Sequence, residues 1–263
     1  LETAGERNRP DCNLLTSSRP LVRALHQPSV MSRPLRHIPP GAVVEITTRA
    51  IQGRYLLRPS PKLAAVLLGI IGRAAARYGI PVHAFFFASN HYHLIITVPD
   101  VRLLARFMCY LNSNAAREVG RLFHWKEKVW GRRYRHIEIL DAAAQIERLE
   151  YILEQGCKEG LIADPREWPG ATCVHALIDG TPLAGIWYDR TAEWYAKRRR
   201  EDFDEDTYAE KVEFELTPMP CWVDVEPEQR RPRVLAMVEG IVETTRTTYQ
   251  PKRRPPIGPA HTP

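Results

Sequence analysis

Two runs of strand-type residues face each other across a short turn, and few folds accept that arrangement other than an antiparallel sheet. Val82-His83-Ala84-Phe85-Phe86-Phe87 and Leu94-Ile95-Ile96-Thr97-Val98 are β-branched or aromatic, and Ser89-Asn90 between them is the predicted turn of a hairpin. The turn leads into His91-Tyr92-His93. Side chains at i and i+2 of a strand share a face, so His91 and His93 project together and Tyr92 goes to the other side. Two adjacent imidazoles can hold a metal; two half-buried strand histidines read equally well. Nine histidines in 263 residues would produce such a pair by chance in roughly one chain in three, so the spacing alone identifies no site.

The surrounding sequence supplies a fold. Ala42 to Arg49 reads as a strand. Ser60-Pro61 then combines an N-cap with proline at the first helical position. Leu63, Val66, Leu67, Ile70, Ile71 and Ala74 form one helix face, stopped by Gly79 and Pro81. After the hairpin, Asp100 caps a second helix whose apolar face is Leu103, Leu104, Phe107, Met108 and Leu111, leaving Arg102, Arg106 and Arg117 on other sides. Arg135 to Leu140 alternates as a fourth strand, and Asp141 caps a third helix running to about Cys157. The order β-α-β-β-α-β-α predicts an α+β fold, an antiparallel sheet with helices packed on it in the ferredoxin-like or RRM-like manner.

Two further stretches carry candidate chemistry. Between the second helix and fourth strand lie five cations, Lys126, Lys128, Arg132, Arg133 and Arg135, interleaved with Trp125, Trp130 and Tyr134. Cations track phosphates and aromatics stack unpaired bases, so the stretch suits single-stranded nucleic acid; a charged, solvated loop is the plainer account. On the third helix the core stripe is Ile146, Leu149, Leu153 and Gly156, while Arg148, Tyr151, Gln155 and Lys158 follow at i+3 or i+4 steps on an adjoining face. A phenol attacks poorly at neutral pH without a metal or base, and a glutamine carbonyl one turn away can supply an oxygen ligand. An amphipathic helix with a boundary tyrosine has the same pattern.

Composition limits the alternatives. The five cysteines are widely spaced without a C-x-x-C pair, which argues against a disulfide framework or a zinc site and fits a reducing cytosol. No apolar run of about 18 residues and no n-region plus h-region pattern occurs, so neither a membrane span nor a secretory signal is expected. A net charge of +6 favours a polyanionic partner.

These residues resemble a known family. The strand Ser89-Asn90-His91-Tyr92-His93-Leu94-Ile95, the helix Glu150-Tyr151-Ile152-x-x-Gln155, and the following Lys158-Glu159-Gly160-Leu161-Ile162-Ala163-Asp164-Pro165 and Trp168-Pro169 resemble the IS200-like single-tyrosine transposases of the HUH endonuclease superfamily. Within these the chain is most similar to the REP-associated branch. The resemblance spans roughly Met31 to Val174. It implies His91, His93 and Gln155 as ligands of Mg²⁺ or Mn²⁺, Tyr151 as the nucleophile, and a 5′-phosphotyrosyl intermediate on single-stranded DNA beside small hairpins. DNA contacts are expected at Lys126, Lys128, Trp130, Arg132, Arg133, Tyr134, Arg135, Arg148 and Lys158. Many REP-associated members carry a His-Leu-Asn-Pro run after the tyrosine where this chain has Leu153-Glu154-Gln155-Gly156; glutamine there resembles the insertion-sequence enzymes instead. A cytoplasmic, nucleoid-associated location follows, as a monomer or a homodimer with the tyrosine helix supplied in trans.

Three segments are expected: a disordered or misassigned leader over 1–30, with Met31 as the true start; the transposase-like domain over 31–178; and a small, mostly helical extension over 179–263. In the last, Asp189 to Arg200 reads as a charged helix, Glu201 to Glu215 as an acidic stretch, Pro227 opens another helix, and Lys252-Arg253-Arg254-Pro255-Pro256 begins a basic, proline-rich tail that can add a DNA contact. A catalytically inactive DNA-binding protein and an RRM-like RNA-binding protein are the competing functions.

Overall fold

Strand β1 (Ala42–Arg49) lies between two partners, and the helices are stacked on both sides of the sheet that results. The computed structural model describes residues 37–199, 204–249 and 255–263. The leader of 1–30 and the basic run at 252–254 lie outside the described residues. In chain order the elements are β1, α1 (Pro61–Tyr78), β2 (Val82–Phe87), β3 (His91–Val98), α2 (Val101–Leu122), β4 (Arg135–Glu138), α3 (Ala142–Leu153), α4 (Gln155–Lys158) and α5 (Val174–Asp179). They continue with β5 (Leu183–Tyr188), α6 (Arg190–Arg199), β6 (Ala209–Phe214) and α7 (Pro227–Tyr249). The first sheet has the order β2-β3-β1-β4 with every pairing antiparallel. The expected α+β architecture is therefore the observed one.

Local sequence explains the boundaries. Ser60 Oγ accepts from the Leu63 amide at 3.2 Å with Pro61 in the first turn, and Gly79 closes α1 in the left-handed region at φ 59°. Asp100 and Asp141 cap α2 and α3 in the same way. A cap contributes about 1 kcal/mol, whereas each fully buried aliphatic side chain contributes roughly 1.5–3 kcal/mol. Leu63, Val66, Leu67, Ile70 and Ile71 are all buried. Packing thus holds α1 on the sheet, and the cap decides where it starts.

The sheet has two differently furnished faces. Tyr92, fully buried, stacks on Phe87 at 4.7 Å and donates to Asn112 Oδ1 in α2 at 2.8 Å. By strand alternation His91 and His93 face the other side, where α3 lies.

The extension departs from expectation in one respect. Helices α6 and α7 make up most of its regular structure, as expected, but β5 and β6 also form a two-stranded antiparallel sheet, and the stretch read as acidic supplies β6. Val212 and Phe214 alternate with Lys211 and Glu213, so a strand with one charged face passed for a charge run. This hairpin lies against α1 so closely that side chains are excluded at the contact. A Cβ added at Gly69 would fall 2.3 Å from the Ile186 carbonyl group, and one at Gly185 would fall 2.1 Å from the Gly69 nitrogen. Both sheets belong to one compact unit, Arg36–Pro263.

Gly69→Ala tests that contact. Alanine favours a helix over glycine by about 1 kcal/mol, yet we expect a net loss of about 1–3 kcal/mol from overpacking, read from the urea midpoint. A gain in stability would contradict the close approach.

Candidate active site

The register of β1 against β3 assembles the site. Thr47 lies opposite His93 and Arg49 opposite His91, so Glu45, Thr47 and Arg49 point to the same face as the two imidazoles. Each imidazole is held by an acceptor at Nδ1. The Glu45 carboxylate, 2% exposed, has Oε1 2.7 Å from His93 Nδ1. Asn90 Oδ1 lies 2.7 Å from His91 Nδ1. The Asn90 amide is itself oriented, because Nδ2 donates to the Gly53 carbonyl at 3.2 Å and leaves Oδ1 toward the ring. Both acceptors place the ring hydrogen on Nδ1, and Nε2 of each histidine keeps its lone pair. The two rings are 5.0 Å apart, nearly perpendicular.

Tyr151 meets this pair from α3 within the same chain. Its ring is 5.5 Å from that of His93, inclined at 80°, and half-buried. The helix expected to run unbroken to Cys157 divides at Glu154, so Tyr151 closes α3 and Gln155 opens α4. Glu154 keeps helical angles, φ −77° and ψ −11°, so the two side chains remain a turn apart. Gln155 is buried; its Nε2 donates to the Tyr151 carbonyl at 2.9 Å, and its carboxamide reaches the His91 ring. Cations surround the phenol: Lys158 Nζ lies 4.7 Å and Arg148 Cζ 5.5 Å from the ring centre. Arg148 also approaches Glu45 Oε2 at 3.3 Å, tying α3 to β1.

The electrostatics favour a neutral, ligating His91. Burial, then the neighbouring His93 and Arg49, lower its pKa from 6.5 to about 4, against an opposing hydrogen bond from Gln155. Among the described residues no three His, Cys, Asp or Glu side chains gather as a metal site. A cation here would rest on two neutral imidazoles and the Gln155 oxygen, a donor set suited to a divalent ion.

The Trp125–Arg135 segment is placed differently from expectation. Tyr134 is buried, 6% exposed, and Trp130 packs edge-on to Tyr92 at 5.6 Å while its Nε1 donates to the Asn112 carbonyl at 2.8 Å. The half-buried Trp130 is thereby tied to α2, and the Tyr134 ring is withdrawn from the surface. Lys126, Lys128, Arg132, Arg133 and Arg135 are exposed. Arg135 lies opposite Thr47, which puts it on the histidine face. Sequence reasoning missed Glu45, Arg49 and the orienting role of Asn90; the alternation of Glu45, Thr47 and Arg49 along one strand was the available clue.

Fold and site together define an α+β sheet protein with an H-x-H strand facing a tyrosine helix. Residues 56–155 match the family described as "Transposase IS200 like", a stretch that contains both histidines and Tyr151 and ends on Gln155. The match agrees, over this segment, with the resemblance read from the sequence. No curated protein matches the chain. Among solved structures, the chain is similar to a REP-associated tyrosine transposase bound to a REP hairpin, at 17% identity over 57% of this chain and 86% of that one, TM-score 0.48. It is also similar to a transposase candidate of Deinococcus radiodurans r1, at 17% identity over 47% and 97%, TM-score 0.32. A third likeness is to tRNA(His) guanylyltransferase of Saccharomyces cerevisiae, at 10% identity over 74% and 97%, TM-score 0.40. Among the described residues no helix is long and apolar enough to cross a membrane.

The His91 shift has a sign that can be checked. Above pH 6.5 the ring is neutral folded or unfolded. Between 6.5 and about 4 the unfolded chain takes up a proton that the folded one refuses, so stability falls as pH drops through that window. In metal-free protein, NMR titration of His91 should give a midpoint near 4; a midpoint at 6.5 would refute the buried environment.

Proposed function

We propose that this protein is a metal-dependent endonuclease and strand transferase acting on single-stranded DNA beside hairpins, with Tyr151 as its nucleophile. The observation that carries this reading is the packing of the Tyr151 ring against His93 in one chain, beside two histidines held with their Nε2 lone pairs available. The net charge of +6 and the exposed cations of the loop fit a polyanionic substrate. The match of the segment that holds these residues to the family described as "Transposase IS200 like" supports the same chemistry.

His91 and His93 through Nε2, with the Gln155 carboxamide oxygen, would hold Mg²⁺ or Mn²⁺. When bound, such an ion polarises the scissile phosphate and offsets the charge that develops there. The remaining work belongs to the chain. Arg148 and Lys158 flank the phenol and attract the phosphodiester toward it. Tyr151 Oη forms a bond to phosphorus as the bond from phosphorus to the 3′-oxygen breaks; the phenol proton is released, and the leaving oxygen ends as a free 3′-hydroxyl. One phosphoester replaces another, so a second 3′-hydroxyl can reverse the step onto a new strand without ATP. Asn90 and Glu45 keep both rings in the ligating tautomer throughout. Because His91 resists protonation down to about pH 4, the site keeps its ligands across the neutral range. The geometry completes the site in cis, and a monomer suffices for cleavage on this reading.

Incubation with single-stranded hairpin DNA and Mn²⁺ should give a protein–DNA adduct that survives denaturation and disappears in Tyr151→Phe. An adduct that persists in Tyr151→Phe would place the nucleophile elsewhere, and binding without any adduct would leave a DNA-binding protein on the same fold.

Glu45→Leu removes the acceptor at His93 without opening a cavity. Loss of such an orienting carboxylate typically costs 10–100-fold in metal affinity, and we expect about that loss for Mn²⁺ by calorimetry with the fold intact by circular dichroism. Unchanged affinity would show that the His93 ring needs no orientation.

A further inference from the structure

Helix α6 lies beyond the family-matched segment, and it carries aromatic side chains where the core does not need them. Its inward face is occupied by Glu193 and Ala196, both buried. Trp194 and Tyr195 point outward, 49% and 53% exposed, with their rings 4.9 Å apart and nearly perpendicular. Arg198 sits over the Trp194 ring at 4.7 Å. Large exposed rings on a helix whose other outward residues are charged are costly in water unless something covers them.

An ion-pair cluster fixes this helix on α2. Arg190, 9% exposed, reaches Glu118 of α2 with Nε to Oε1 at 2.7 Å and Nη1 to Glu193 Oε2 at 2.8 Å. Arg121 of α2 and Lys197 approach the other Glu193 oxygen at 3.1 and 2.6 Å. The lower pKa of Glu193, about 2, reflects hydrogen bonds from Lys197 and Arg190 that outweigh its burial. Exposed Arg117 and Arg198 add cations beside this cluster.

The surface is continuous. One cleft runs between α2 and the Trp125–Trp130 segment, another between α2 and α6, and both are lined by Arg117 and Arg121. The cations of the loop, Lys126 and Lys128, thus connect through α2 to the exposed rings of α6. All of this lies on the side of the sheet that Tyr92 faces, opposite the histidine pair.

We propose that the α2–α6 cleft binds single-stranded nucleic acid at a distance from the cutting site, with Arg117 and its neighbours on the phosphates and Trp194 and Tyr195 stacked on unpaired bases. This rests on the reading of the protein as one that acts on single-stranded DNA and adds a second contact to it. Unpaired strand is the fitting partner because a duplex offers phosphates to the cations but no open base face to the rings. The extension would then hold the strand flanking the one being cut.

The test uses the full chain and a fluorescein-labelled oligothymidylate, which forms no hairpin. The double variant Trp194→Ala/Tyr195→Ala is expected to bind roughly tenfold or more weakly, as the loss of base stacking implies. Arg117→Ala is expected to lower the slope of log affinity against log salt by about 0.7–1. Both substitutions are at exposed positions, and thermal melting verifies the fold. Wild-type affinity and slope in both variants would overturn the proposal, as would tighter binding of a blunt duplex than of oligothymidylate. Failure of the underlying reading looks different: absence of the Tyr151-dependent adduct on hairpin DNA removes the nuclease assignment, whereas a wild-type protein that binds no oligothymidylate, or undiminished binding by the variants, removes the α6 surface alone.

Discussion

The pairing register of β1 and β3 is the constraint on which the rest of the molecule depends. It sets Thr47 against His93 and Arg49 against His91, and it brings the Glu45 carboxylate under the His93 ring. A slip of one residue would turn every side chain of β1 to the opposite face, burying the Arg49 side of the strand and sending Val44 and Ile46 to the site. The apolar residues of the helix-packed face make that slip expensive, so the same burial that stabilises the sheet also aligns the chemistry. Stability and site geometry are one requirement here, met by one strand.

The site is organised by acceptors placed behind the histidines as much as by the histidines. A turn asparagine and a buried glutamate come from different parts of the chain, yet both end at Nδ1 of a ring. The convergence gives each of the two imidazoles an acceptor at Nδ1. Gln155 is treated similarly: the bond from its Nε2 to the Tyr151 carbonyl couples the amide to the residue it is to work with, across the break at Glu154.

Much of this was legible beforehand, and the failures are instructive. Caps at Ser60, Asp100 and Asp141 and the period-2 and period-3.6 patterns located the elements because each signal is local. The histidine pair and Tyr151 were found as a set through resemblance, since spacing alone left the bland reading standing. Glu45 was missed because its partner is 48 residues away, and the alternation of Glu45, Thr47 and Arg49 marks a strand face without saying what that face meets. The packing of Trp130 was not legible because an aromatic beside arginines looks alike in sequence whether it meets a base or, as here, the ring of Tyr92 edge-on. β6 was missed because half of its residues are charged, although only Val212 and Phe214 needed to be apolar to meet Gly72 of α1.

That last contact bears on how such a chain is divisible. The family-matched stretch stops at Gln155, and a designer excising 31–178 as a module would leave the outer side of α1 stripped at Gly69 and Gly72, positions kept bare of side chains for a backbone no longer there. The exposed seam would be a shallow apolar furrow on the helix that backs the whole sheet. The similarity boundary and the folding boundary do not coincide in this molecule, and a truncated gene product would keep Tyr151 while losing the hairpin that packs on α1.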